Sequence, residues 1–223
     1  MLEAVVFDMD GIIFDSERLM TRCWMELDKQ YGIPNVEDVC VECLGTNDEE
    51  TKRIFLHTYG QDFPYERYEQ EMMHLYRKWI SEGKLEMKPG VTDILSWLKQ
   101  QGIKVGLATS SRRVLAVEEI REAGLLSFFD SITCGDEVSR SKPEPDIYQK
   151  ACQNLGVKPE NAFAIEDSYH GVRAGKSAGM SVIMVPDMKQ PDEAISNLAD
   201  IVLPSLIKAK DFLEAHWDFD RQN

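Results

Sequence analysis

Two aspartates, Asp8 and Asp10, follow directly on the apolar run Leu2-Glu3-Ala4-Val5-Val6-Phe7. On a continued strand their side chains share one side, and in a loop they can converge on one ion. Carboxyl groups so close repel unless a cation or a proton lies between them, which suits a metal site and is costly elsewhere. Taken alone, the pair is more often a solvated turn. Three further groups have the same dual character. Thr109-Ser110-Ser111-Arg112-Arg113 opens a helix, where hydroxyls and free backbone N–H groups bind phosphate oxygens but more commonly serve as a cap. Lys142 stands in Ser139-Arg140-Ser141-Lys142-Pro143-Glu144-Pro145-Asp146. It could aim a fixed charge at a phosphoryl group or lie on the surface, as most lysines do. Glu166-Asp167-Ser168 follows a second apolar run, Ala162 to Ile165. With Asp8 and Asp10 it gives four carboxylates, a hard-oxygen set suited to Mg²⁺.

The elements that must position these residues are legible from periodicity. Leu2 to Phe7 reads as a buried parallel strand. Helical patterns then run Glu17 to Tyr31, Asp48 to Tyr59 and Tyr65 to Trp79, closed by Gly32 and Pro34, and by Gly60, in the first two cases. From Pro89-Gly90 helix and strand alternate: helices Val91 to Gln101, Arg113 to Ala123, Asp146 to Leu155 and Gly171 to Ala178, and strands Lys104 to Ala108, Ser131 to Cys134, Ala162 to Ile165, Ser181 to Val185 and Ile201 to Leu203. The expected fold is α/β: a doubly wound, Rossmann-like parallel sheet (residues 1–14 and 89–223) with an inserted all-helical cap (15–88). In such a sheet ligands bind at the carboxyl ends of the strands, where all four groups fall. Gly171, Gly175 and Gly179 are spaced to bring their helix close to the sheet.

The chain has 223 residues, 43% of them hydrophobic and 29% charged, as in a folded protein. It has no apolar stretch of membrane-spanning length and no basic leader, so a cytoplasmic protein with no membrane partner is expected. A net charge of −14 disfavours nucleic acid and suits a monomer. It also requires a cation and local Lys or Arg groups wherever a phosphate ester binds. The five cysteines suggest no disulfide framework, and Cys40-Val41-Glu42-Cys43 lacks a second ligand pair for zinc.

Together these residues resemble the haloacid dehalogenase-like superfamily, in its β-phosphoglucomutase-like branch. Phe7 to Ser16 is similar to the family's first motif, Thr109-Ser110 to its second, Lys142-Pro143 to its third and Glu166-Asp167-Ser168 to its fourth. The resemblance spans nearly the whole chain. It implies an Mg²⁺-dependent phosphatase acting on a small phosphorylated metabolite, with Asp8 as nucleophile and Asp10 as acid and base. Mg²⁺ would be held by Asp8, the backbone carbonyl of Asp10 and Asp167, with Glu166 acting through water. Thr109, the Ser110 backbone and Lys142 would hold the transferring oxygens, and Lys142 would pair with Asp8. The helical insertion resembles the family's cap, hinged near Phe14-Asp15 and Lys88-Pro89-Gly90. Met20, Trp24, Leu44-Gly45-Thr46-Asn47 and Tyr76-Arg77 are placed where a cap meets substrate, or pack within the cap.

Departures from the pattern separate the possible activities. Family mutases carry a cap arginine for a second phosphate, and here that place is taken by Asp48, while Met20 stands about where they carry a histidine. Ser111 and Arg112 still match the core side of that phosphate site. Hydrolysis is therefore expected over a β-phosphoglucomutase-type reaction. Asp10 argues against carbon dehalogenation, and a cap argues against a phospho-acceptor signalling module, which needs none.

Overall fold

The computed structural model describes residues 2–44, 46 and 48–222. Its centre is a six-stranded parallel sheet in the order β3-β2-β1-β4-β5-β6, where β1 is Ala4–Phe7, β2 Lys104–Thr109, β3 Ser131–Cys134, β4 Ala162–Glu166, β5 Ser181–Met184 and β6 Ile201–Val202. The chain builds outward from β1 in one direction and then, from β4, in the other. β1 and β4 are therefore neighbours at the point where the winding reverses, with Phe7 opposite Ile165. Asp8 and Glu166 leave the sheet side by side.

Both faces of the sheet are covered, which explains why β1 is apolar at every position. Val5, Phe7, Val105, Leu107, Ile165 and Ile183 point to one core, closed by α5 (Val91–Gln101), α6 (Arg113–Glu122) and α10 (Leu206–Gln222). Ala4, Val6, Ala108, Ala164, Val182 and Met184 point to the other, closed by α7 (Asp146–Leu155), α8 (Tyr169–Ser177) and α9 (Glu193–Leu198). On this second face the sheet residues are small near α8. A side chain at Gly175 would run into Val182 and Ala164, so this glycine sets how closely the helix approaches. Gly179 lies beyond the end of α8 with φ +87°, terminating the helix rather than packing along it.

Between β1 and α5 lie α1 (Ser16–Tyr31), α2 (Val36–Glu42), α3 (Asp48–Tyr59) and α4 (Tyr65–Ser81). They enclose a core of their own, built on Trp24, Phe55, Tyr65 and Tyr76. The two strands of chain that join this helical unit to the sheet are bonded to each other: Asp15 N–H donates to Glu86 O and Lys88 N–H to Ile13 O, both at 2.9 Å. Charge reinforces the junction. The carboxylate of Asp187, in the loop after β5, accepts from Arg18 and Lys88, each at 2.7 Å.

The sequence patterns placed the main elements within a few residues. They missed α2, α9 and α10, and began α8 two residues late, because Ser168 rather than a glycine caps it: its hydroxyl accepts from Gly171 N–H.

Candidate active site

Asp8 stands one residue past β1, with only its carboxylate edge open to the cleft. Lys142, carried on the loop before α7 and joined to Pro143 by a cis peptide, reaches across the strand ends to it. Its Nζ donates to Asp8 Oδ1 at 2.8 Å, to Glu166 Oε1 at 2.6 Å and to the carbonyl of Ala108 at 3.1 Å. These three acceptors use all the protons of one ammonium group and fix its position.

Glu166 is fully buried, and five donors surround it. Lys142 and the Tyr148 hydroxyl (2.7 Å) share Oε1, while the backbone N–H of Asp167 and both the N–H and hydroxyl of Ser168 share Oε2. The carboxylate lies against Gly171, where any Cβ would overlap it. That glycine is needed at the first turn of α8 so that the acid can fit beneath the helix.

Asp8, Glu166 and Asp167 offer oxygens that all lie within 4.8 Å of one another. The electrostatic strain of this arrangement is visible in the acidities of Asp8 and Asp167. Burial, then Glu166 and Asp10, raise Asp8 to about 7 against the pull of Lys142. Burial, then Glu17, Glu166, Asp8 and Asp187, push Asp167 well above the usual carboxylate range. For Lys142 burial opposes the charge, and Asp8 and Glu166 more than restore it. Three buried acids facing one ammonium are short of positive charge. The donor set is all hard oxygen, so the residues fit a divalent cation.

Asp10 does not join that cluster with its side chain. Its carboxylate turns toward the helical unit, where it accepts from the hydroxyls of Ser16, at the start of α1, and of Ser111 (3.1 Å), with Thr109 Oγ1 at 3.5 Å. Thr109 is buried and its Oγ1 accepts from Ser111 N–H at 3.0 Å. The residues read from the sequence thus meet at one edge of the sheet, in two clusters: Asp8, Lys142, Glu166 and Asp167 in one, Asp10, Thr109 and Ser111 in the other.

Above them opens a cleft of about 890 Å³, which Ser110, Ser111, Arg112, Asp8, Asp10, Lys142 and Asp167 line from below. Met20, Trp24, Leu44, Thr46 and Arg77 line it from the helical side, as the sequence suggested. Tyr76 does not: it is fully buried and points at Glu119. Asn47 and Gly45 lie outside the described residues. Arg112 is paired across the cleft with Asp48 at 3.1 Å, both largely exposed.

Several residues here carried no sequence signal of their own. Tyr148 is one tyrosine among many, and Ser16 was read only as the end of the first motif, with no role of its own. Glu119 did leave a trace, since it falls in register with Ala116 and Ile120 on the apolar stripe of α6, where an acid is out of place. Glu69, Glu17 and Asp187 are surface-type residues until the fold brings them to the cleft or the linkers.

With sheet order, strand-end acids and helical insertion in place, the chain belongs to the haloacid dehalogenase-like hydrolases, whose family model matches residues 5–185. Within that family it is β-phosphoglucomutase-like. It is 35% identical over 182 residues to a phosphorylated carbohydrates phosphatase of Thermotoga maritima, covering 82% of this chain and 84% of the relative. It is 33% identical to the β-phosphoglucomutase of Bacillus subtilis, covering 92% and 94%. The crystal structure of CbbY from Rhodobacter sphaeroides in complex with phosphate superposes with a TM-score of 0.78 at 31% identity, over 92% of this chain and 95% of that one. The protein is therefore an enzyme of the phosphatase or phosphomutase kind. No described helix is long and apolar enough to cross a membrane.

Proposed function

We propose that the protein is an Mg²⁺-dependent phosphatase that hydrolyses a small phosphorylated metabolite, a sugar phosphate or similar monoester, through a phosphorylated Asp8. The observation that carries hydrolysis over phosphoryl exchange is the Arg112–Asp48 pair. Arg112 is the core cation best placed for a second phosphate, and an acid on the facing helix occupies it and would repel that phosphate.

In this reading Asp8 Oδ attacks phosphorus while the bond to the leaving oxygen breaks, and Asp10 delivers its proton to that oxygen. Asp10 then takes a proton from water as the water attacks phosphorus, the bond to Asp8 breaks, and inorganic phosphate leaves. Lys142 holds Asp8 and, with the Thr109 hydroxyl and the Ser110 backbone, the oxygens in transfer. Asp8, the Asp10 carbonyl and Asp167 would hold the cation, and Glu166, its lone pairs already engaged, would act through water. When bound, Mg²⁺ neutralises the clustered carboxylates and the charge of the phosphate. Residues 15–88 act as one cap over residues 1–14 and 89–223, with Ser111 and Arg112 toward the leaving group.

The test is incubation with β-glucose 1-phosphate, Mg²⁺ and a trace of glucose 1,6-bisphosphate, followed by assay of free phosphate and glucose 6-phosphate, then a panel of phosphate esters. Mg²⁺-dependent phosphate release is expected. Rapid isomerisation without phosphate release would replace this reading with a mutase.

A further inference from the structure

A buried acid that the chemistry above does not use lies beneath Asp10. Glu119, on the inner face of α6, is 1% exposed. Its Oε1 accepts from the Tyr76 hydroxyl of α4 at 3.1 Å, and its Oε2 is buried without a partner. Tyr76 itself is fully buried. The bond therefore joins the helical unit to the sheet domain through the interior, unlike the exposed Arg112–Asp48 pair.

The charges around Glu119 are negative. Asp10, from the loop after β1, and Glu118, on its own helix, both disfavour an anion there, and Tyr76 is a neutral donor that also faces Asp10 and Cys23. Among the described residues no cation pairs with it. An unpaired buried carboxylate is costly, so the group is held as a neutral acid. In agreement, burial and then Asp10 raise it to about 8. With Oε1 accepting from Tyr76, the acid's own proton belongs on Oε2.

Helix α6 begins directly after Ser111-Arg112, and the Ser111 hydroxyl bonds Asp10. Leu115, on the first turn of α6, packs into the apolar core of the helical unit. Docking Tyr76 on Glu119 thus fixes the helix whose leading residues hold Asp10. We propose that Glu119 and Tyr76 are positioning residues for Asp10: their bond forms when the helical unit seats on the sheet domain, and it sets Asp10 for proton transfer to the leaving oxygen.

This inference rests on the acid role given to Asp10, and the leaving group tests it. An alkyl oxygen needs a proton as it departs, whereas the phenolate of p-nitrophenyl phosphate needs none. For Tyr76→Phe, kcat/KM on the best sugar phosphate of the panel should fall about tenfold, the equivalent of one buried hydrogen bond. On p-nitrophenyl phosphate it should stay within about twofold. Glu119→Gln keeps a neutral acceptor for the tyrosine and should resemble the parent, while Glu119→Ala should resemble Tyr76→Phe. Equal losses on both esters, or no loss on either, overturn the proposal. Hydrogen exchange supplies a readout independent of turnover. In Tyr76→Phe, amides of residues 113–122 should exchange about tenfold faster while those of β1 and β4 are unchanged. Unchanged exchange in α6 overturns the proposal even if neither ester proves to be a substrate, an outcome that by itself would count only against the phosphatase reading.

Discussion

The two walls of the cleft are built on opposite principles. On the sheet side two charged groups are held from several directions: Lys142 makes three bonds, Glu166 accepts five, and both are buried. On the helical side the lining is Met20, Trp24, Leu44 and Phe55, with the charged groups Asp48, Glu69 and Arg77 among them. The first wall is preorganised around Lys142 and Glu166, whose positions several neighbours fix at once. The second offers shape and adjustable charge, and its methionines can repack. Under the proposed function, reaction type and leaving-group preference belong to separate parts of the molecule.

That division can be broken most directly at Asp8. Asp8→Asn should remove at least about a thousandfold of Mg²⁺-dependent turnover, as loss of a nucleophile does. Its circular dichroism and melting should stay close to the parent, because Lys142 keeps two acceptors. Appreciable Mg²⁺-dependent activity in this variant would overturn the role of Asp8. Gly171→Ala is next. A methyl group there collides with the Glu166 carboxylate, so about 1–3 kcal/mol of stability and at least about tenfold in kcat should be lost, measured by denaturant melts and initial rates.

The metal prediction concerns stability rather than rate. Because Asp8 and Asp167 are both raised by burial and neighbouring acids, Mg²⁺ should raise Tm, and Asp167→Asn should raise Tm without Mg²⁺ while cancelling most of the ion's effect. A variant with lower Tm and an unchanged response to Mg²⁺ would place the ion elsewhere.

Substitutions on the opposite wall should do less. Asp48→Ala or Arg77→Ala should change kcat/KM by less than about tenfold, with the size and sign depending on the ester. A thousandfold loss on every ester would make that wall part of the catalytic machinery. The smallest effect on turnover belongs to Glu119→Gln, whose consequence is read in stability against pH. The acidity of Glu119 is lowered on folding, so its contribution to stability is complete below the ordinary carboxyl range, fades as pH rises and is gone by about pH 8. Glu119→Gln removes that dependence, and its Tm should gain on the parent between pH 5 and pH 8.5. Parallel Tm profiles would show that Glu119 is charged in the folded protein.

The same contrast explains what the sequence revealed. Asp8, Asp10, Glu166 and Asp167 could be found because a parallel sheet delivers strand ends to one edge, and strand ends can be read from apolar runs; Lys142, on the loop before α7, stood out by its proline-framed segment and the third motif. Glu119, Tyr76 and Tyr148 could not, because their roles depend on which helix lies across which. Tyr76-Arg77 was left between facing substrate and packing within the cap, and the fold divides the pair: Arg77 lines the cleft while Tyr76 is buried in the core of the helical unit. The short helix α2 was missed because Pro34 and Asn35 interrupt the pattern before it. For the metal set, the sequence grouped four acids, and the fold turned the Asp10 side chain away toward Ser16 and Ser111.

The backbone bonds between the two linkers have a further consequence for how such a molecule diversifies. An insertion this long ordinarily carries a loop-closure penalty, but here its two ends are already fastened side by side. The helical unit is attached like a cassette in a frame, through one short junction that includes Asp15 and Lys88. Its four helices can be rebuilt, shortened or exchanged without changing how the chain enters and leaves the sheet. A transplanted lid therefore needs to match that junction and the Tyr76–Glu119 seat.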